Sequence, residues 1–320
     1  MAYNQFESRN FNRMSVNESG GTITKTSAKK QKLLDEANWY RSLPSDLAGF
    51  APKLHDVIQN DNDVSIVMEL FPYPNLASLW LNGGSDFNMW TNIVRKLFDI
   101  HHAFEKHTTA IDKSEYEYIY REKTTERIDK MRESNPVIAD MMTGDDITIN
   151  NHKYRNLSTL KTDIFNWIDK LIAYDRRTIV HGDFCFSNIL MNPGNNSFRL
   201  VDPRGGFGKT SIYGDPRYDI AKLRHSFIGL YDFVIGDEFE LKSLGDNSFV
   251  FHIDADMDID KYEQYFDRIA SEYGFDSNDI KFIESLLFLT MIPLHADKPA
   301  HQQAFYLIAI KKLNEVINGK

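Results

Sequence analysis

Ile179-Val180-His181-Gly182-Asp183-Phe184-Cys185-Phe186-Ser187-Asn188-Ile189-Leu190 is the stretch on which the reading of this 320-residue chain turns. Two apolar residues lead into a His-Gly-Asp turn, an Asn stands five residues after the Asp, and an apolar run follows. Phe198-Arg199-Leu200-Val201-Asp202 comes next, a short apolar strand pattern ending on a second carboxylate. Strands flanking a tight loop would bring Asp183, Asn188 and Asp202 to one edge of a small sheet. Mg²⁺ prefers oxygen ligands and bridges phosphates. An Asn and an Asp able to hold a hard cation, beside a carboxylate that can meet a hydroxyl, is what phosphoryl transfer needs.

Further on, Gly214-Asp215-Pro216-Arg217-Tyr218-Asp219 runs into Ile220-Ala221. With these three motifs in this order, the chain resembles the aminoglycoside phosphotransferase and choline kinase group, small-molecule kinases of protein-kinase-like fold. The resemblance is tightest over residues 179–225 and looser in the N-terminal third. It implies an α+β, two-lobed fold: an N-lobe at 1–72 with a small antiparallel nucleotide-binding sheet and one helix, and a larger, mainly helical C-lobe at 73–320. It also implies Asp183 as the catalytic residue, Asn188 and Asp202 as Mg²⁺ ligands, and His181 and Asp219 as structural supports of the catalytic loop. On the residues alone, a single His-Gly-Asp is common in turns.

Composition narrows the classes. Hydrophobic residues make up 42% and charged residues 26%, ordinary for a globular protein with a substantial core. The net charge of −9, without a long Lys/Arg block, argues against nucleic acid or an anionic membrane as partner. One cysteine excludes an internal disulfide framework and a cysteine-based zinc site. Cys185, between two phenylalanines, reads as an inert buried thiol. No signal-peptide pattern and no apolar run of membrane-spanning length occurs, so a cytoplasmic protein is expected. No signal for an oligomeric state is present.

From the N-terminus, residues 16–27 read as a hairpin turning at Gly20-Gly21. By resemblance its second strand carries Lys25, which would meet the α/β-phosphates of ATP; an exposed strand lysine is the alternative. No G-x-G-x-x-G loop is present, which leaves residues 8–13 to cover the nucleotide. Residues 29–41 read as a helix carrying Glu36, either the partner of Lys25 or a solvated charge. Strands are expected at 53–58 and 64–70, the second running into Phe71-Pro72-Tyr73-Pro74. By resemblance this is the hinge, where the Glu69 carbonyl and the Phe71 amide face adenine with Met68 behind; an ordinary strand-to-helix loop is the alternative.

Helices follow at 90–102, 116–132 and 156–174, and the segment 105–177 is where acceptor specificity is expected. After Asp202, Pro203-Arg204-Gly205-Gly206-Phe207-Gly208-Lys209-Thr210 ends like a P-loop but lacks its first glycine and follows a metal-type Asp, so that reading is rejected. Arg204 and Lys209 are candidates to meet an anionic acceptor or the transferring phosphate, or are exposed loop charges. A long helix is expected at 219–234. The acidic run 254–260 lacks the glycine and glutamate of a calcium loop and reads as the cap of a helix at 261–273. Residues 280–317 read as helices split at 292–299, where His295 is either an acceptor contact or a satisfied structural histidine.

The function expected from this is ATP- and Mg²⁺-dependent transfer to a hydroxyl of a small metabolite: a sugar, polyol or amino alcohol, with surface-polysaccharide synthesis as one setting. The rival is a nucleotide-binding pseudokinase with a regulatory or scaffolding role. The absent glycine loop favours the rival and the full Asp183, Asn188, Asp202 set opposes it. A metal-dependent hydrolase is a more distant alternative.

Overall fold

The computed structural model describes residues 12–82, 84 and 86–319. Among these residues contacts define two compact units, the first drawn from 1–84, 99–109 and 177–219 and the second from 85–98, 110–176 and 220–320.

The first unit opens with a four-stranded antiparallel sheet of β1 (Asn12–Asn17), β2 (Thr22–Ser27), β3 (Leu54–Gln59) and β4 (Val64–Glu69), in the order β1-β2-β4-β3. Gly21 takes the positive φ (+62°) that the β1–β2 turn requires. The first strand starts earlier than the sequence suggests: Asn12 and Arg13 pair with Ser27 and Thr26. Residues 8–11 of that expected cover lie outside the described residues. Strand alternation buries Ile23, Lys25 and Ser27 of β2 on one face, with Val64, Ile66 and Met68 of β4. The helix α1 (Lys30–Ser42) lies between β2 and β3 in the chain and buries Leu33, Glu36, Ala37, Trp39 and Tyr40.

After β4, Asn75 caps the helix Leu76–Asn82 through the Ser78 N–H at 2.8 Å. Met191 N–H donates to the Pro74 carbonyl at 2.9 Å, and Asn75 bridges Leu190. That seats the hairpin Ile189–Asn192/Ser197–Leu200 beside the segment leaving the sheet. A two-stranded pair, Thr178–Ile179 with Tyr213–Gly214, closes the other side of the loop between them.

The second unit is mainly helical. Its helix Ser277–Met291 is buried over residues 280 and 282–291, and packs against the long helix Pro299–Asn318. Two differences from the sequence reading have physical causes. The expected helix at 219–234 is two helices, Pro216–Phe227 and Tyr231–Ile235. The chain breaks at Gly229 and Leu230, the latter with φ +53°. A Cβ on Gly229 would lie 2.6 Å from Glu284 Oε1, 2.6 Å from the His225 carbonyl and 2.8 Å from Phe288. Apolar periodicity ran through this position because it carries no record of a neighbour that close. Gly229→Ala is expected to cost about 1–3 kcal/mol by forcing those groups apart, read as a lower denaturation midpoint at unchanged m-value.

The other difference is an unexpected four-stranded sheet, ordered Phe239–Gly245, Ser248–Ile253, Asp146–Ile149, His152–Arg155. The acidic run does cap a helix, but one starting two residues earlier than expected, Ile259–Glu272, with the Asp258 carboxylate accepting from Lys261 N–H. No helix among the described residues is long and apolar enough to cross a membrane.

Candidate active site

Lys25 points inward from β2, an unfavourable place for an ammonium unless it is paired. Its Nζ lies 2.7 Å from Glu36 Oε2 on α1 and 2.7 Å from Asp202 Oδ1. The residue is 7% exposed. Burial alone would lower its pKa, but the Glu36 and Asp202 carboxylates overcome that and hold the ammonium well above the ordinary lysine value. Burial pushes the Glu36 carboxyl up to about 7 even against the pull of Lys25. Desolvation would raise Asp202 as well, yet its side chain is 39% exposed, and Lys25 holds its carboxyl below the usual carboxylate range. One cation thus serves two carboxylates of different character.

Asp202 has φ +56°, a left-handed conformation that Asp tolerates better than branched or bulky residues do. Its N–H donates to the Tyr40 hydroxyl of α1 at 3.2 Å. The next turn of the chain is tied back to the loop: Arg204 N–H donates to the His181 carbonyl at 2.9 Å, and Val201 N–H to the Asn188 carbonyl at 2.9 Å.

The loop itself is held from beneath. Asp219 accepts from the backbone N–H of His181 at 2.6 Å and of Gly182 at 2.8 Å. Burial nonetheless leaves its carboxyl raised, against those donors and the nearby His101 and His181. His181 is buried edge-on to Trp39, and desolvation lowers its pKa, keeping the ring neutral as an acceptor for Asp183 N–H at 3.3 Å. Trp39 Nε1–H in turn donates to the Val180 carbonyl at 2.7 Å. Gly182 has φ +78°, and a Cβ there would meet the Arg204 Cβ at 2.7 Å. Phe184 and Phe186 anchor the loop in the core, and Cys185 is buried beside Ser187.

Between the anchors stands Asp183, half-buried. Asn188 Nδ2 donates to its carbonyl at 3.0 Å and to Oδ2 at 3.1 Å. That turns the Asn188 Oδ1 into the atom this amide can offer a cation, with the second oxygen of Asp202 as the other donor. Among the described residues no group of three or more His, Cys, Asp or Glu is placed to hold a metal. A donor set of one amide and one carboxylate oxygen suits a cation that takes its remaining ligands from water and phosphate, as Mg²⁺ does.

The first unit therefore brings together Lys25, Glu36, Asp183, Asn188, Asp202, His181 and Asp219. At the end of β4, Glu69 accepts from Lys53 N–H at 3.2 Å through its side chain, and Phe71 meets Tyr73 edge to face with the Arg199 guanidinium 5.0 Å from its ring centre. Arg204 lies over Phe207 and Tyr218 and donates to the Tyr218 hydroxyl at 3.2 Å. Lys209 is exposed. His295 is not brought into this unit; it packs with Tyr231, His301 and Phe305 in the second. Sequence reasoning overlooked Trp39 and Tyr40, which grip the loop from α1, although the aromatic pair beside Glu36 on one helix was visible.

Residues 17–236 match the profile described as the phosphotransferase enzyme family (APH). No curated protein matches the chain. Among solved structures, a thermostable mutant of aminoglycoside phosphotransferase APH(4)-Ia in its apo form is similar at 13% identity and a TM-score of 0.52, covering 98% of this chain and 93% of that one. The same protein in ternary complex with AMP-PNP and hygromycin B gives 14% and 0.50, covering 98% and 95%. A putative fructosamine-3-kinase from Haemophilus somnus 129PT gives 11% and 0.53, covering 95% and 87%. The fold is kinase-like, α+β, with a small antiparallel sheet in its N-terminal region and a helical C-terminal part.

Proposed function

This chain belongs to the phosphotransferase enzyme family, and from that premise we propose that it uses ATP and Mg²⁺ to phosphorylate a hydroxyl of a small metabolite. The observation that carries the reading is the pairing of Lys25 with both Glu36 and Asp202 in the unit that also holds Asp183 against Asn188. Lys25, fixed by Glu36, meets the donor phosphates. Asn188 and Asp202 hold Mg²⁺, which neutralises phosphate charge when bound. Asp183, oriented by the Asn188 amide, receives the acceptor hydroxyl and takes its proton as the oxygen attacks phosphorus. Such chemistry is mostly positioning and charge neutralisation. The Glu69 carbonyl and the Phe71 amide, at the exit of the sheet, serve the adenine edge. The N-lobe is assigned to 1–72 and the C-lobe to 73–320.

For the acceptor we favour a sugar or sugar-like alcohol over an amino alcohol. Arg204 supports this: its stem packs against Gly182, next to Asp183, and its guanidinium is shelved on two aromatic rings, a cationic rather than acidic neighbour for the acceptor. The neighbour complex with AMP-PNP and hygromycin B is in keeping with a triphosphate donor and a small-molecule acceptor.

The test is incubation of the purified chain with Mg²⁺-ATP and pooled sugars, polyols and amino alcohols, following ADP release and new phosphorylated masses. A phosphorylated product is expected from the sugar or polyol pool. Asp202→Asn is expected to raise the Mg²⁺ concentration needed for half-maximal rate by about tenfold or more, since it removes one anionic ligand and its hold on Lys25. Nucleotide binding with no product from any pool would favour the pseudokinase.

A further inference from the structure

We propose that Asp35, Gly205 and Thr210 are positioning residues: they clasp the loop after Asp202 to α1 and so hold Glu36 in register with Lys25. Gly205 has φ +72°, and a Cβ there would lie 2.2 Å from the Asp35 carbonyl oxygen and 2.9 Å from its Cβ. The backbone of the loop thus presses directly on the helix, at an approach only glycine permits. Five residues on, Thr210 Oγ1–H donates to Asp35 Oδ1 at 2.5 Å, an oxygen that also accepts from Gln31 Nε2 at 2.8 Å. The loop is closed on itself between these points: Ser211 N–H donates to the Gly205 carbonyl at 2.9 Å, and Gly206 bridges Thr210. It is therefore a short brace with two feet on one helical residue.

Asp35 immediately precedes Glu36. At 3.6 residues per turn, neighbouring side chains leave a helix about 100° apart. Glu36 faces Lys25 while Asp35 faces the brace, and two holds that far apart around the axis fix rotation as well as distance. Tyr40, one turn beyond Glu36, adds the contact to Asp202 N–H. Kinases of this general type work only with the lysine–glutamate pair and the metal-site Asp in place together, an arrangement that protein kinases obtain by moving the helix. Here the residues just after the metal-site Asp make that hold from within the chain. Thr210 is exposed, so its hydroxyl contributes a local hold and not core packing.

The test is hydrogen exchange by mass spectrometry on the full chain, comparing wild type with Thr210→Val, Thr210→Ser and Gly205→Ala. Losing one hydrogen bond should speed exchange of the amides of residues 33–40 by about 3–10-fold in Thr210→Val, with a larger rise in Gly205→Ala. Thr210→Ser, which keeps the hydroxyl, should match wild type, and the peptide over Ser277–Met291 should not change in any variant. Unchanged exchange of α1 in both Thr210→Val and Gly205→Ala would overturn the proposal, as would equal acceleration in Ser277–Met291. The kinetic arm rests on the phosphotransferase reading: Thr210→Val should lower kcat by a similar factor with KM for ATP within about twofold, and Thr210→Ser should restore it. Faster exchange with unaltered kcat would overturn the catalytic part. A wild type without turnover would sink the phosphotransferase reading instead, and the exchange result would still decide the brace.

Discussion

Asp183→Asn is expected to lower kcat by about 10²–10⁴-fold while leaving KM for ATP within a few-fold of wild type. The amide is nearly isosteric, so the loop should keep its shape: its anchors are Phe184, Phe186 and the two N–H bonds to Asp219, none of which involves the Asp183 carboxylate. What is lost is the ability to orient the acceptor hydroxyl as an anion and to take its proton. The contact to Asn188 Nδ2 survives if the new amide presents its oxygen, so cation binding should shift little. Steady-state kinetics over both substrates, with nucleotide affinity measured separately, provides the check. Equal losses in nucleotide affinity and kcat would mean that Asp183 maintains the nucleotide site and not the transfer step.

A second large effect is expected from Lys25→Met. It removes the cation that pairs directly with both Glu36 and Asp202, and Glu36 is buried. Removing one partner of a buried pair commonly costs 3–5 kcal/mol because the other charge is left uncompensated. The pH dependence has a definite sign. The Glu36 pKa in the folded chain is already raised to about 7 from an ordinary 4.5, and without Lys25 it rises further. A carboxyl whose folded pKa lies above its unfolded one contributes stability that is full below the unfolded value and is lost as pH rises through the folded value. The variant's deficit should therefore be smallest at pH 5, where the lost hold on Asp202 is the electrostatic part of it, and grow progressively above pH 7. Adding Glu36→Gln removes the buried charge and should recover most of the loss at pH 8, but no turnover. Denaturant titrations at the two pH values separate these outcomes; a deficit independent of pH would show that packing and the lost hold on Asp202, not the stranded Glu36 carboxyl, are responsible.

How much of this was legible in the sequence depends on how local each signal is. The loop from His181 to Asn188 and the strand ending at Asp202 could be read because all their chemistry lies within two dozen residues. Alternation in β2 puts Lys25 on the same face as Ile23, and a helix between strands is a natural carrier for Glu36, so their meeting needed little long-range knowledge. The second sheet was not seen although Ser248–Ile253 is apolar at Phe249, Val250, Phe251 and Ile253, because its partners Asp146–Ile149 and His152–Arg155 are four residues each, too short for a clear alternation. A signal was nevertheless present in Asn150-Asn151 and Asp246-Asn247, four residues with positive φ of the kind tight hairpins demand. The brace on Asp35 could not be read at all, because a glycine chosen for close approach looks like any other until its neighbour, 170 positions away in the chain, is known.

The composition of the first unit also sets a timetable. Lys25 reaches its Asp202 partner across 177 residues, and the unit is assembled from three separate stretches of chain. At synthesis rates of about 5–20 residues per second, roughly 9–35 s pass between the emergence of the one residue and the other. During that interval the ribosome-borne sheet carries an inward lysine with Glu36 but not Asp202 beside it, and Trp39 and Tyr40 await Val180 and Asp202 in turn. A nascent chain stalled before residue 202 would present that face to the cell, and the last short strand to join, Tyr213–Gly214, comes later still.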